Sequence, residues 1–170
     1  MGGREVMVLM GSASDWPLVR PALEVLHDLG VTAGAHITSA HRSPAWTVRA
    51  IEEAEARGCL VFICAAGMAA HLAGTVAAHT LRPVIGIPLP GGLLDGLDAL
   101  LATVQMPPGV PVATVTAGAA GARNAAYLAA RIVALSNPEV AATLARHRDE
   151  AEEKVRRADA ELTDTLGGTS

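Results

Sequence analysis

Apolar runs alternate along this chain with stretches whose apolar positions recur at helical spacing. Residues 6–10, 60–65 and 83–87 are apolar almost throughout and lie close to glycine, proline or charged residues, which is typical of strands buried on both faces. Two further strands are expected from a segment that ends near Ile37 and from residues 112–115. The pattern therefore predicts five strands.

The segments between these runs predict helices. The first helix is expected over residues 15–29, with Asp15 as its N-cap and Gly30 as its stop. Ser43 is the expected N-cap of the second helix, because a serine directly before a proline commonly begins one. The remaining helices are expected to cover about residues 44–57, 72–80, 93–104 and 121–135.

Strict alternation of buried strands and helices predicts a three-layer α/β fold. An open parallel sheet of about five strands would be covered by helices on both faces, in the doubly wound, flavodoxin-like manner. Asn137 and Pro138 interrupt the alternation, and a charged segment with a narrow apolar stripe near heptad spacing follows. We therefore expect an α/β catalytic domain over residues 1–137. Residues 138–170 are expected to form an extra C-terminal helical arm that packs on the body or on a neighbouring subunit.

Composition narrows the classes of partner. Hydrophobic residues make up 51% of the 170 residues and aromatic residues only 2%, so the core must consist of small aliphatic side chains. This apolar surplus in a small chain favours a homo-oligomer. A net charge of −4 provides no basic field for nucleic acid. The apolar runs are shorter than the roughly 20 residues of a membrane span, and no signal-peptide core is present, so we expect a cytoplasmic protein without a membrane partner.

Several chemistries are disfavoured by what the body of the chain lacks. The only lysine of the whole chain is Lys154, which lies in the charged tail. The body therefore has no lysine that could form a Schiff base or serve as a P-loop lysine. Cys59 and Cys64 are spaced neither as a metal clip nor as a disulfide framework and are expected to be buried thiols. The histidines lack a carboxylate or thiolate cluster with ligand spacing, so no metal is predicted.

Three loops are expected to meet at the carboxyl edge of the sheet, where open α/β folds bind ligands. They are residues 11–15, 39–44 and 66–71, and they contain serines, Asp15, Arg42, His41 and His71. Backbone N–H groups, hydroxyls and a guanidinium can hold a phosphate, and an imidazole can transfer protons, so a phosphorylated small metabolite is the expected ligand. Purely structural roles remain as alternatives. The first loop could be only a helix cap, His41 could only tether its loop, and His71 could bond a backbone carbonyl.

Four motifs in order resemble the signatures of the PurE family of purine biosynthesis. They are Gly11-Ser12-Ala13-Ser14-Asp15-Trp16, Ser39-Ala40-His41-Arg42-Ser43-Pro44, Ala69-Ala70-His71-Leu72 and Val104-Gln105-Met106-Pro107. The resemblance extends from about Val6 to Leu135. Arginine after the loop histidine resembles the bacterial mutase class, whereas the animal-type carboxylase class has lysine there.

The resemblance implies an isomerase that moves a carboxylate from the exocyclic nitrogen of an aminoimidazole ribonucleotide to a ring carbon, without ATP, metal or organic cofactor. His41 would carry the proton. Ser12 and Arg42 would hold the 5′-phosphate, Asp15 the ribose hydroxyls, and Ser14 would support the first loop. The base and carboxylate side would be contacted by Ser39, Ala40, Gly67, Ala70, His71 and Leu72. The family's homo-octamer agrees with the apolar surplus.

The chain also departs from the family pattern. Met68 stands where the family commonly has glycine, and Ala73 where it has proline. Met68 could narrow the base pocket or point into the core. Two other functions stay open at this point: a carboxylase that uses carbon dioxide directly, and a noncatalytic ribotide-binding paralogue.

Overall fold

The computed structural model describes residues 4–167 and contains an α/β sandwich. The strands are β1 (Val6–Met10), β2 (Ala33–Ile37), β3 (Val61–Gly67), β4 (Val84–Leu89) and β5 (Ala113–Thr114). The helices are α1 (Trp16–Asp28), α2 (Pro44–Ala56), α3 (Leu72–Ala77), α4 (Leu97–Val104), α5 (Gly118–Val133) and α6 (Pro138–Gly167). The predicted alternation is thus confirmed.

All the strands pair in parallel, in the order β2-β1-β3-β4-β5. The order reverses between β1 and β3, so the loops that follow these two strands diverge to opposite faces and leave a crevice at their carboxyl ends. This confirms the predicted doubly wound, flavodoxin-like sheet with an extra C-terminal helix.

Two apolar layers hold the helices to the sheet. One layer packs α1 and α5 on one face and includes Leu26, Ile63 and a row of fully buried alanines in α5. The other packs α2 and α3 on the opposite face around Phe62 and Ile51. Small side chains let α5 lie close to its neighbours: a Cβ on Gly121 would lie 1.7 Å from the Thr116 carbonyl oxygen, so only glycine fits there. The expectation of an aliphatic core is confirmed.

Several predicted element ends were wrong, for local reasons. Asp15 stands at the N-cap position of α1, as predicted, but its side chain makes no hydrogen bond to that helix. Instead Ser12 caps a short 3-10 turn (Ala13–Asp15) that precedes the helix, and Asp15 is the reciprocal partner in that capping box. Ser43 likewise stands at the N-cap position of α2, as predicted, but its hydroxyl accepts no hydrogen bond from that helix. Helix α3 ends at Ala77 rather than near Thr80, α4 begins at Leu97 after a turn, and β5 is reduced to two residues.

The C-terminal helix leaves the body along its length. Val140 is buried and Leu144 half-buried against the rest of the chain, whereas Val155, Leu162 and Leu166 are exposed. Surface ion pairs such as Glu152 with Arg156 line the distal half. Among residues 4–167, no helix combines the length and apolar composition that crossing a bilayer requires.

Candidate functional site

A cavity of about 470 Å³ lies at the carboxyl edge of the sheet, where the loops after β1, β2, β3 and β4 converge. Wider grooves of about 780 and 1150 Å³ lie elsewhere, and neither is lined by the loop residues that carry the candidate chemistry. The edge cavity is lined by Gly11, Ser12, Ser14, Asp15, Ser39, Ala40, His41, Arg42, Ala66, Gly67, Met68, Ala69, His71, Leu72, Leu89, Pro90, Gly91 and Gly92. Ten of the eleven predicted site residues are in this lining, and Ala70 is outside it.

The loop after β1 is held by its own hydrogen bonds. The Ser12 N–H donates to Asp15 Oδ2 at 2.9 Å, and the Ser14 hydroxyl donates to Ser12 Oγ at 2.8 Å. Partial burial raises the pKa of Asp15 above its ordinary value, although the Ser12 N–H and the charge of Arg42 act in the opposite direction. The loop therefore presents two hydroxyls and one carboxyl in a fixed arrangement.

The loop after β2 closes on itself between Ser39 and Ser43. The Ser39 N–H donates to Ser43 Oγ at 3.0 Å, and the Ser43 N–H donates to the Ser39 carbonyl at 2.9 Å. Behind it, the hydroxyls of Thr38 and Thr47 are 2.6 Å apart and buried. The hydroxyl of Ser43 thus holds the loop instead of capping α2, and His41 and Arg42 project from a braced turn.

Arg42 joins the first two loops. Its Nη2 donates to the Gly11 carbonyl at 2.9 Å, while its backbone N–H donates to Ser39 Oγ at 3.2 Å. Its Nε also donates to Ser39 Oγ at 3.5 Å. The side chain is exposed, so the Nη donors that Gly11 does not use face solvent and the cavity. Together with the Ser12 loop, this arrangement can bind a phosphate dianion through charge-assisted hydrogen bonds.

His41 and His71 form a hydrogen-bonded pair across the cavity. His41 Nε2 lies 2.8 Å from His71 Nδ1, and the ring centroids are 4.9 Å apart at an interplanar angle of 79°. One ring must donate and the other accept. Both side chains are exposed, so a bound ligand can reach either. The sequence had placed both histidines at this edge, but it had not predicted their contact.

The loop after β3 supplies the less polar wall. Gly67 lies close to the backbone of the loop after β4, and Met68 has a left-handed backbone with φ of 56°. Leu72 is almost fully buried but lines the cavity floor. Ala70 is buried and is absent from the cavity lining, and its backbone N–H donates to the Met68 carbonyl at 3.0 Å.

The segment from Leu89 to Gly92, at the end of β4, is the part of the site that the sequence reasoning missed. Its backbone lies opposite Gly67, and residues 89–92 line the cavity. A signal was present, because this glycine- and proline-rich segment follows a buried parallel strand, as the three predicted loops do.

The cavity thus combines an anion-binding end with a pair of imidazoles and a wall of small or apolar residues. Within residues 4–167, no group of three or more histidine, cysteine, aspartate or glutamate side chains is placed to hold a metal ion. An arrangement of this kind can hold a phosphorylated ligand and move protons on its far end.

Comparisons with known proteins agree with this arrangement. A family model described as AIR carboxylase matches residues 5–154. The chain is 51% identical over 137 residues to the N5-carboxyaminoimidazole ribonucleotide mutase of Saccharolobus solfataricus, covering 81% of this chain and 85% of that protein. It is 47% identical over 162 residues to the mutase of the same name from Mycobacterium tuberculosis, with coverages of 95% and 92%. The crystal structure of Treponema denticola PurE superposes with a TM-score of 0.85 at 30% identity, covering 92% of this chain and 97% of that one.

Proposed function

The chain belongs to the AIR carboxylase family, and we propose that it acts as an N5-carboxyaminoimidazole ribonucleotide mutase in purine biosynthesis. The observation that carries this proposal is the His41–His71 pair, which shares one cavity with the anion-binding Arg42. Curated relatives that cover most of the chain have this activity in their names.

The reaction is an isomerisation, so the product contains the same atoms as the substrate and no second reactant is consumed. His41 donates a proton to the carbamate nitrogen, the bond from nitrogen to carbon breaks, and carbon dioxide is released into the cavity. The electron-rich ring carbon then attacks the carbon dioxide, and His41 removes the proton from that carbon. The imidazole ends in the protonation state in which it began, which suits a side chain that both donates and accepts.

The remaining predicted residues are proposed to bind the ribonucleotide. Ser12 and Arg42 hold the 5′-phosphate, and Asp15 accepts from the ribose hydroxyls, while Ser14 supports Ser12. The hydrogen bond from Arg42 to the Gly11 carbonyl supports this role, since it already draws the two loops together. The proposed contacts of the base and its carboxylate are Ser39, Ala40, Gly67, His71 and Leu72. Ala70 was also predicted there, but it lies outside the cavity lining and is not proposed as a contact.

We also propose that the protein is a cytoplasmic homo-octamer in which residues 1–137 form the catalytic body. Exposed apolar side chains on and before α4 support an extensive subunit interface, since such a row is unusual on a free surface. They are Leu93, Leu94, Leu97, Leu101 and Val104. The distal stripe of α6 supports the role of residues 138–170 as an arm, lying on the body at its start and on a neighbouring subunit beyond. Sedimentation velocity tests the octamer, and a monomer at micromolar concentration would contradict it.

Direct carboxylation of the aminoimidazole ribonucleotide is the second candidate, because the matching family model is described as AIR carboxylase. The two reactions differ in their dependence on bicarbonate. A mutase converts the carbamate isomer without added bicarbonate, whereas the turnover rate of a carboxylase rises with the bicarbonate concentration.

An ultraviolet assay of the parent and of His41→Asn tests the proposal. The parent is expected to turn over the carbamate isomer without bicarbonate, and His41→Asn to lose about 100- to 10,000-fold in kcat while still binding the ribonucleotide. Absence of turnover in the parent at saturating substrate contradicts the proposed function. Equal activity in both proteins contradicts the role of His41 alone.

A further inference from the structure

Met68 occupies an unusual backbone conformation beside the cavity. Its φ of 56° lies in the left-handed region, where an L-residue with a side chain crowds its own carbonyl. The side chain is also 65% exposed although it is apolar. An exposed methionine with a strained backbone adds no buried contact to the hydrophobic core. Its conformation therefore points to a role at the site itself.

The side chain of Met68 reaches across to the loop after β4. A Cβ placed on Gly92 would lie 3.2 Å from Met68 Cγ and 2.7 Å from Asp98 Oδ2. The space beside Gly92 is therefore bordered by the aliphatic part of the Met68 side chain and by the Asp98 carboxylate. Met68 spans the gap between the two loops that form the apolar wall, and both loops line the cavity.

We propose that Met68 is a retaining wall of the cavity, which keeps released carbon dioxide beside the ring carbon until the new bond forms. This inference rests on the proposed mutase function. Carbon dioxide is small and carries no net charge, so a thioether chain that spans the opening between the two loops can block its exit without hydrogen bonds. An unbranched methionine can also change rotamer to admit the ribonucleotide and then cover it. Exclusion of bulk water by the same wall prevents hydration of the intermediate.

Three substitutions separate the effect of the Met68 side chain from the effect of its strained backbone. Met68→Ala removes the wall and keeps a Cβ in the left-handed region, whereas Met68→Gly removes both the wall and the strain. Met68→Leu keeps an apolar side chain of similar volume and is the matched control.

The test follows the fate of the carboxylate during turnover of unlabelled carbamate isomer in ¹³C-bicarbonate with carbonic anhydrase. The measured quantities are ¹³C in the product and free aminoimidazole ribonucleotide released per turnover. We expect the parent and Met68→Leu to show low values of both, and Met68→Ala and Met68→Gly to raise both severalfold. Met68→Gly is also expected to raise the midpoint of urea unfolding, and Met68→Ala to leave it nearly unchanged.

The outcomes distinguish the two levels of the proposal. Turnover with the same low exchange in Met68→Ala as in the parent overturns the retaining role and leaves the mutase function standing. An increase in Met68→Leu equal to that in Met68→Ala also overturns it, because side-chain volume would then be irrelevant. Absence of turnover in the parent overturns both.

Discussion

His41 Nε2 lies 2.8 Å from His71 Nδ1, although the two residues follow different strands of the sheet. Only one proton can lie between these nitrogens, so the pair cannot be doubly protonated without losing this hydrogen bond. The contact with His71 therefore holds the orientation of the His41 ring and links the tautomers of the two rings, since the nitrogen of one must carry the proton that the other accepts.

Replacement of His71 by phenylalanine removes the hydrogen bond and keeps a ring in its place. Because His41 then loses its partner and its fixed orientation, we expect kcat to fall by about 10- to 100-fold with a smaller change in KM. The pH profile of kcat should also shift, which a purely steric role would not produce. Steady-state kinetics between pH 6 and pH 9 provide the measurement, and an unchanged kcat and profile would show that the pair is incidental.

Arg42→Lys keeps the charge but loses the planar fork of donors and the bond from Nη2 to the Gly11 carbonyl. We expect KM for the ribonucleotide to rise by about 10- to 100-fold, the cost of one or two charge-assisted hydrogen bonds, with a smaller loss in kcat. Competition by inorganic phosphate should weaken in parallel. Arg49→Lys, on the exposed side of α2 and outside the cavity, is the matched control. If Arg42→Lys alters kcat alone, the phosphate contact is elsewhere.

Asp15 should make stability depend on pH in an unusual direction. Burial raises the pKa of its carboxyl above 3.8, so the folded state binds that proton more tightly than the unfolded chain does. Its stabilising contribution is present below pH 3.8 and is lost as the pH rises through the raised pKa.

Asp15→Asn keeps an oxygen to accept from the Ser12 N–H and cannot ionise. Its urea midpoint relative to the parent should therefore be more favourable at pH 7 than at pH 4. The same difference at both pH values would indicate that the carboxyl is not desolvated in solution.

The two cysteines should be unreactive while the chain is folded. Both thiols are buried, and burial raises the pKa of the Cys59 thiol to about 11 and that of the Cys64 thiol further. At pH 7 only roughly one Cys59 thiol in ten thousand would be ionised. Ellman's reagent should therefore modify neither thiol in native protein and both in 6 M guanidinium. Rapid labelling of either cysteine before unfolding would contradict the buried positions.

The fold was predictable because its strands are buried on both faces. Val6–Met10 and Val61–Gly67 are apolar almost throughout, and a single glycine, Gly11 or Gly67, shows where each strand stops. The ends of helices were harder to predict, because competing hydrogen bonds decide them. Asp15 stands at the N-cap position of α1 but makes no cap bond to it, because its carboxylate accepts from the Ser12 N–H instead.

The candidate site was predictable as a set of loops but not as a set of contacts. Open α/β folds bind ligands at the carboxyl ends of their strands, and His41 and His71 both follow such ends. The sequence therefore predicted both residues in the same crevice. Their hydrogen bond depends on the crossing of two loops in space, which no local pattern encodes. The conformation of Met68 depends on the same packing, which the sequence alone left open. The loop after β4 differs, because its glycine and proline residues after a buried strand were a signal that was missed.

The buried bond between Thr38 and Thr47 has a consequence for redesign of the enzyme. Thr47 Oγ1 also donates to the Ser43 carbonyl, so the Thr38 hydroxyl must donate to Thr47, and the order of the two protons is fixed. Replacing one threonine by valine leaves a buried hydroxyl with one partner fewer, whereas valine at both removes the polar pair and keeps the volume. The double replacement therefore removes the polar support behind the loop that carries His41 while every side chain that lines the cavity stays the same.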